Sequence, residues 1–288
     1  MSSYRFCRTD DIGLLVDALN RCWAPYFPDE PLMTPAAFKR SIRDLQVWCS
    51  SCMVAFAGGD PIAVLIGAKR PSATLVHKIA VHPDHRRQGH ARHLLTSLSS
   101  KLAILGPPRI VAEVPERLAE ACGLFGASGY TEEVQLTDYV RDPSIRNGSP
   151  RSLRPGADRL VIPVTVDDLA ANGLLGDNQP PTCWERSVET LMARKDEIAG
   201  LAIASDEQIE ACILHVQSNH TEIMSLGSFV DDGGNRLTEL VIRLDTQGNG
   251  SVWFRKIHPA EISTGVLETL GFRPAGGHRL YAARAQSA

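Results

Sequence analysis

The sequence predicts an α/β (α+β) chain built from two copies of one domain, each a mixed, mostly antiparallel sheet flanked by helices. Two observations predict this class. In the first half, apolar segments with the period of a strand alternate with segments of helical period, and the tight turn at 58–61 joins two of the strands into a hairpin. In the second half, the same order of segments recurs.

The helices of the first half carry recognisable start signals. Asp10 and Asp11 precede the first segment of helical period, and Thr34 followed by Pro35 is typical of an N-cap and a first helical position. The strands are short apolar runs between turn residues. The predicted elements are strand 4–9, helices 10–23 and 34–48, strands 52–57, 62–68 and 74–81, a helix ending near 105, strand 109–114, helix 116–128 and strand 130–140.

The second half repeats these segments at a steadily shrinking distance. "RLVIPVTVDDLAANGLL" echoes "YRFCRTDDIGLLVDAL", and the offset between matched residues falls from 157 (Asp11 to Asp168) through 147 (Ile62 to Ile209) to 142 (Gly129 to Gly271). A duplicated domain whose second copy lost residues explains this decrease, whereas two unrelated domains would not. One alternative stays open, because "RLVIPVTV" could instead be the last strand of the first copy.

The predicted domains are residues 1–145 and 158–288. Between them, residues 146–157 are rich in Pro, Gly, Ser and Arg and lack periodicity, which favours a linker. Arginines around this linker could bind nucleic acid, but a solvated linker fits better in a chain of net charge −3 and pI about 6.3. We therefore expect neither nucleic acid nor a membrane as a partner, since no stretch approaches the roughly 20 apolar residues that span a bilayer.

The cysteines and histidines do not form a convincing metal or disulfide set. Seven cysteines, an odd number, and an N-terminus without an apolar core predict reduced thiols in a cytoplasmic protein. Cys49 and Cys52 have redox-motif spacing, but a strand rather than a helix is predicted after them, so packed core thiols are favoured. Five of nine histidines lie between His77 and His93, yet they straddle a strand, a loop and a helix. We expect no metal.

The segment at 81–95, "VHPDHRRQGHARHLL", is the one stretch with a specific chemistry. The first turn of a helix has unpaired N–H groups and the positive end of the helix dipole, and Gly89 and Ala91 leave room for a ligand to approach. Arg86, Arg87 and Arg92 add positive charge around the same point, which suits a diphosphate. The alternative is a solvated basic loop before an ordinary amphipathic helix.

The spacing V-x-P-x-x-R-x-x-G-x-A, between a strand and a leucine-rich helix, resembles the acetyl-CoA-binding motif of the GNAT acetyltransferases. The element order over residues 4–140 is also similar to the GNAT order, so the resemblance implies two tandem GNAT folds. It implies that backbone amides of Arg87 to Arg92 hold the CoA pyrophosphate and that the pantetheine arm follows the strand 74–81. The implied cofactor-binding residues are Ile79, Ala80, Val81, Arg86, Arg87, Gln88, Gly89, His90, Ala91, Arg92 and Phe125.

The resemblance implies an N-acyltransferase that moves an acetyl group from acetyl-CoA to an amine by direct attack. His77 is the first candidate base: period-two alternation puts it on the face of Val81, and the stretch around it resembles that of arylalkylamine N-acetyltransferases. Glu113, at the end of the next strand, is the second. A cleft histidine and an exposed strand-end acid without chemical roles are the alternatives. The acceptor is a small-molecule amine or a peptide N-terminus, and Asp29 and Glu30 could attract a cationic one.

Two departures from the family pattern affect the predicted function and the number of cofactor sites. Phe125 stands where many members have the tyrosine that protonates the CoA sulfur, which leaves a non-catalytic acyl-CoA-binding or regulatory protein as the alternative function. In the second copy, Asp231 and Asp232 stand where phosphates would need cations, and Leu267 stands at the tyrosine position. We therefore expect one cofactor site, in the first domain, and a second domain that completes the acceptor cleft, covers apolar surface or forms a homodimer.

Overall fold

The chain forms two compact units, Met1–Val134 with Arg279–Ala288, and Gln135–His278. A computed structural model describes residues 2–142, 160–176, 181–247 and 250–287. The predicted linker at 146–157 lies outside the described residues. No helix in the described part of the chain is both long and apolar enough to cross a membrane.

The first unit has the predicted order of elements. Thr34 caps the second helix, since its hydroxyl accepts a hydrogen bond from the Ala37 N–H. The elements are β1 (Ser2–Phe6), α1 (Ile12–Cys22), α2 (Pro35–Leu45), β2 (Met53–Ala57), β3 (Asp60–Lys69), β4 (Thr74–Val81), α3 (His90–Leu105), β5 (Arg109–Pro115), α4 (Ala119–Ala127) and β6 (Thr131–Arg141).

In the sheet of the first unit, β1 to β4 pair antiparallel in chain order and β5 lies parallel to β4. Leucines of α3 at positions 94, 95, 98 and 102 fill the core beneath the sheet, all nearly inaccessible to solvent. Cys49 and Cys52 are buried as well, and burial raises the pKa of both thiols. The strand predicted to follow them is β2.

The second unit repeats this order, which confirms the duplication. Its elements are β7 (Leu160–Val164), α5 (Val166–Ala171), α6 (Val188–Ala193), β8 (Ala199–Ala204), β9 (Ile209–Gln217), β10 (Thr221–Ser228), α7 (Asn235–Gln247), β11 (Val252–Ile257), α8 (Thr264–Thr269) and β12 (Arg273–Arg284). β7 pairs antiparallel with β8. "RLVIPVTV" is therefore the first strand of the second copy, not the last strand of the first.

The last strand of each copy contributes residues to both units, and here the structure differs from the predicted bounds of 1–145 and 158–288. Residues 135–141 of β6 belong to the second unit, where β6 pairs antiparallel with β11. Residues 279–288 belong to the first unit, in which the Ala285 N–H donates to the Pro108 carbonyl. An alternating pattern identifies a strand but not its partner, so sequence alone could not reveal this exchange.

The contribution of β12 to the first unit is clearest in the core of that unit. Tyr281 of β12 is 5% exposed and stacks on Phe125 of α4, with ring centroids 5.8 Å apart and planes inclined by 17°. Tyr130 meets the same phenylalanine edge-on, at 5.1 Å. The C-terminal strand is thus a structural part of the first unit.

Tyr281→Ala should lower the free energy of unfolding of the first unit by about 3 kcal/mol, because truncating a buried aromatic leaves a cavity. Urea denaturation, with amide hydrogen exchange of β5 as a local readout, measures the change. Leu105→Ala, at a side chain that is 67% exposed, is the matched control and should change stability little. Equal effects of the two substitutions would contradict the role given to Tyr281.

Candidate functional site

The site is built on the separation of two parallel strands. β4 and β5 pair only near their N-terminal ends, Thr74 with Ile110 and Leu75 with Val111. In the antiparallel ladder between β4 and β3, the His82 N–H donates to the Ile62 carbonyl. Because bonded positions alternate along such a ladder, the backbone groups of Ile79 and Val81 point away from β3, toward the gap.

His77 is the extra residue of a bulge in β4. Val76 pairs with Gly67 and Lys78 with Ile66, so the register with β3 passes over His77. Val76 and Ile79 consequently pack into the same core cluster although they are three residues apart. Alternation therefore does not carry across the bulge from Val81 to His77, and the placement of His77 on the face of Val81 stays a prediction.

The loop after β4 forms an anion nest at the start of α3. Arg87 and Gly89 both have left-handed backbone conformations, with φ of 62° and 85°. Gly89 is the N-cap of a 16-residue helix, and the space where its side chain would begin is open. The unpaired N–H groups of the first turn and the helix dipole thus meet at an accessible point, as an anion requires.

His90, the first residue of α3, is 5% exposed, and its Nδ1 shares a 2.6 Å hydrogen bond with the Tyr4 hydroxyl. Its Nε2 is buried and has no hydrogen-bond partner among the described residues. Burial, reinforced by the neighbouring His85 and His93, lowers the pKa of His90. The neutral imidazole therefore leaves unused hydrogen-bonding capacity beside the nest.

Arg86 and Glu120 form an ion pair between the nest loop and the first turn of α4. Their side chains are 36% and 69% exposed, so solvent screens the pair and it is easily exchanged. The Arg86 guanidinium also lies 5.7 Å from the ring of Tyr26. An anion in the nest would compete with Glu120 for Arg86.

A cavity of about 910 Å³ in the first unit joins these features. It brings together most of the residues that sequence reasoning assigned to the cofactor; those lining it are Ile79, Ala80, Val81, Arg86, Arg87, Gly89, His90, Ala91 and Arg92. Gln88, Phe125, His77 and Glu113 lie outside this lining. Phe125 instead belongs to the core, between Tyr130 and Tyr281.

Sequence reasoning missed the aromatic wall of the cavity. Trp23, Tyr26 and Phe27 line it, and the Tyr26 hydroxyl donates a 2.7 Å hydrogen bond to the Val81 carbonyl at the end of β4. Trp23 and Phe27 stack with centroids 4.4 Å apart. The sequence did carry a signal for this wall. The stretch "WAPYF" places three aromatic residues around a proline at the end of a helix, and such residues cannot all turn toward one core.

The second unit has the same strand separation but a different helix start. β10 and β11 pair in parallel only at Thr221 with Val252 and Glu222 with Trp253. Leu267, at the position of Phe125, is likewise a fully buried core residue. The fold of the site is retained in the second unit, while its chemistry has changed.

Asp232 takes the place of an external anion at the start of α7. Its carboxylate accepts hydrogen bonds from the N–H groups of Gly234 (3.0 Å) and Arg236 (2.9 Å) and from the Arg236 guanidinium (2.8 Å). Burial opposes ionisation, but these bonds outweigh it and lower the pKa of Asp232. The helix start of the second unit is thus satisfied from within the chain, which is a stronger obstacle to a phosphate than charge repulsion alone.

Asp232→Ala should reduce stability by about 1–2 kcal/mol at neutral pH, the usual cost of losing a capping carboxylate. Because its pKa is lowered on folding, the contribution is present above the unfolded value and lost as pH falls through the folded value. The difference between wild type and variant in urea denaturation should therefore shrink below about pH 4. Asp231→Ala, at the exposed neighbour, is the matched control; a pH-independent difference would contradict the role of Asp232.

Comparison with known proteins agrees with this geometry. Residues 14–130 match the sequence model of the Acetyltransferase (GNAT) family. A tandem GNAT protein from the clavulanic acid biosynthesis pathway matches 100% of this chain and 100% of its own, with 16% identity and a TM-score of 0.67. A GCN5-related N-acetyltransferase from Sphaerobacter thermophilus matches 99% of this chain and 96% of its own, with 14% identity and a TM-score of 0.67.

A third similar structure is the glucosamine N-acetyltransferase region of a fungal multi-domain GH3 β-N-acetylglucosaminidase. It matches 98% of this chain and 38% of its own, with 10% identity and a TM-score of 0.72. At these identities the structural likeness concerns the fold. Residues 14–130 therefore carry the sequence pattern of the Acetyltransferase (GNAT) family, and the whole chain has a fold similar to that of a tandem GNAT protein.

Proposed function

We propose that the protein is an N-acetyltransferase that transfers the acetyl group of acetyl-CoA to an amine by direct attack, with a single site in the first unit. The observation that carries this proposal is the cavity in which the nest at Gly89 opens beside the exposed backbone edge of β4. A diphosphate and an extended amide-containing arm are the two ligand parts that these features suit.

The residues around the nest fit the charge of CoA. Arg87 and Arg92 line the cavity. Arg86 can leave its ion pair with Glu120 and bind a phosphate of the ligand. The Nε2 atom of His90 has no hydrogen-bond partner in the described part of the chain. The backbone groups of Ile79 and the N–H of Val81 face the gap and can bind the arm as an added strand would, while the Val81 carbonyl already accepts a hydrogen bond from Tyr26. Among the described residues no cluster of His, Cys, Asp or Glu suits a metal ion.

The chemical step requires a polarised carbonyl and a proton acceptor. Acetyl-CoA, when bound, supplies the thioester. The N–H of Ile79 then faces the gap and serves as an oxyanion-type donor. His77 and Glu113 remain the proposed proton acceptors for the acceptor ammonium, and because both lie outside the cavity lining, they act through water rather than directly.

The thiolate leaves without a tyrosine at the family position, because Phe125 occupies it and is buried. A thiol with a pKa near 8.5 is a tolerable leaving group at mildly alkaline pH. The same observation supports the second candidate function, a non-catalytic acyl-CoA-binding or regulatory protein. We also propose that the acceptor is an amine, that the protein is cytoplasmic and that it forms a homodimer.

Two measurements on the full chain test the proposal. Isothermal titration with acetyl-CoA should give one site per chain, because Asp232 already occupies the second helix start. Thiol release in the presence of amines and peptides should then show turnover. Binding without turnover on any acceptor would favour the non-catalytic protein, and two equivalent sites per chain would contradict the single-site proposal.

His77→Gln should lower kcat at neutral pH, and unchanged turnover would remove the base assignment.

Glu120→Gln should tighten acetyl-CoA binding by up to about fivefold, since it frees Arg86 from a solvent-screened pair worth roughly 0–1 kcal/mol. Calorimetric titration measures the change. Glu207→Gln, the same charge change at an exposed residue of the second unit, is the matched control and should leave affinity unaltered. Weaker binding in Glu120→Gln would show that Glu120 supports the nest instead of competing for Arg86.

A further inference from the structure

One wall of the cavity is aromatic. Trp23 and Phe27 stack with their planes inclined by 19°, and both also line a small adjoining hollow that reaches Glu30 and Lys78. Such rings offer broad apolar contact with few rotatable bonds, so they suit an acceptor with an apolar or aromatic body.

The carboxylates beside this wall, Glu30 and Glu120, each already face a cation. Glu30 accepts a 3.1 Å hydrogen bond from the Trp23 indole N–H and lies 3.8 Å from the Lys78 ammonium, which itself sits 3.9 Å from the Trp23 ring centroid. Glu120 pairs with Arg86. A polycationic acceptor would therefore meet carboxylates that already face a cation. The sequence expectation that Asp29 and Glu30 could attract a cationic amine stays a prediction, with Glu30 already in contact with Trp23 and Lys78.

One cation of the cavity lies beside the aromatic wall and not in the nest. Arg117, just before α4, lines the cavity, is exposed, and, like the nest residues Arg87 and Arg92, has no carboxylate within ion-pair distance among the described residues. Its guanidinium lies 5.8 Å from the Phe27 ring centroid. Contact with the ring face leaves the in-plane N–H groups of the guanidinium available for a planar, bidentate partner. A carboxylate is such a partner.

We propose that the acceptor is an amine that also carries a carboxylate, with Arg117 binding the carboxylate and the Trp23–Phe27 pair contacting the apolar body. This proposal rests on the acetyltransferase function proposed above and specifies its substrate class. Amino acids with apolar side chains are the simplest molecules that meet both requirements.

Matched acceptors test the proposal. Thiol release from acetyl-CoA is measured with L-phenylalanine, L-phenylalaninamide and phenethylamine, and with L-leucine against 3-methylbutylamine. We expect kcat/KM at least about tenfold higher for the amino acids than for either the amide or the decarboxylated amine. Turnover of the amines with equal or higher kcat/KM would overturn the carboxylate inference while leaving the acetyltransferase function intact.

Arg117→Met should raise KM for the amino acid at least about tenfold, and should leave kcat/KM for phenethylamine and KM for acetyl-CoA within about twofold. Arg117→Lys should restore part of the loss, because it keeps the charge but not the bidentate geometry. Arg243→Met, at an exposed arginine of α7, is the control. A rise in KM for acetyl-CoA alone would assign Arg117 to the cofactor and overturn the proposal.

A binding measurement keeps the two proposals separable. N-acetyl-L-phenylalanine and N-acetylphenethylamine are titrated calorimetrically into the CoA-loaded protein, which requires no turnover. Tighter binding of the carboxylate product, lost in Arg117→Met, supports the inference even where no acceptor is acetylated. Equal binding of both products overturns it. Absence of turnover on every acceptor bears on the acetyltransferase function alone.

Discussion

The separation of β4 from β5 is the constraint on which the rest of the site depends. Two parallel strands that stay paired would satisfy each other's backbone groups and leave nothing for a ligand. Here they pair at only two positions, and the backbone of Ile79 and Val81 faces a gap. The cavity, the nest at its end and the aromatic wall all open onto this gap, so the sheet itself supplies the binding edge.

The two units show how the same fold is used with and without a site. Both open a parallel strand pair after two residue pairs, and both begin a helix directly after a glycine in left-handed conformation. In the first unit the helix start is open and surrounded by arginines, whereas in the second the carboxylate of Asp232 fills it. Because that carboxylate satisfies the N–H groups from within, a helix start can lose a ligand without losing stability.

Three cations in or beside the cavity differ in what they already contact. Arg86 has an exchangeable partner in Glu120, and Lys78 is held by Glu30 and the Trp23 ring. Arg117 lies over the Phe27 ring and has no ion pair among the described residues. A screened pair can be given up to a ligand at little cost, while a cation without a carboxylate partner attracts one. Charge counts from the sequence cannot make this distinction, since all three side chains read as equally basic.

The sequence by itself determined the element order, the duplication and the location of the nest, because these follow from periodicity, caps and a glycine at a helix start. Tertiary structure decided which strand pairs with which. The alternation of apolar residues could not predict to which unit the ends of β6 and β12 belong. Tertiary structure also interrupted the alternation of β4 at His77, where one bulge residue shifts the register with β3. It placed Phe125 in the core and placed Tyr26, Phe27 and Arg117 in the lining of the cavity. The physical reason is that local sequence patterns determine whether a segment forms a helix or a strand, whereas only packing determines which surface its side chains contact.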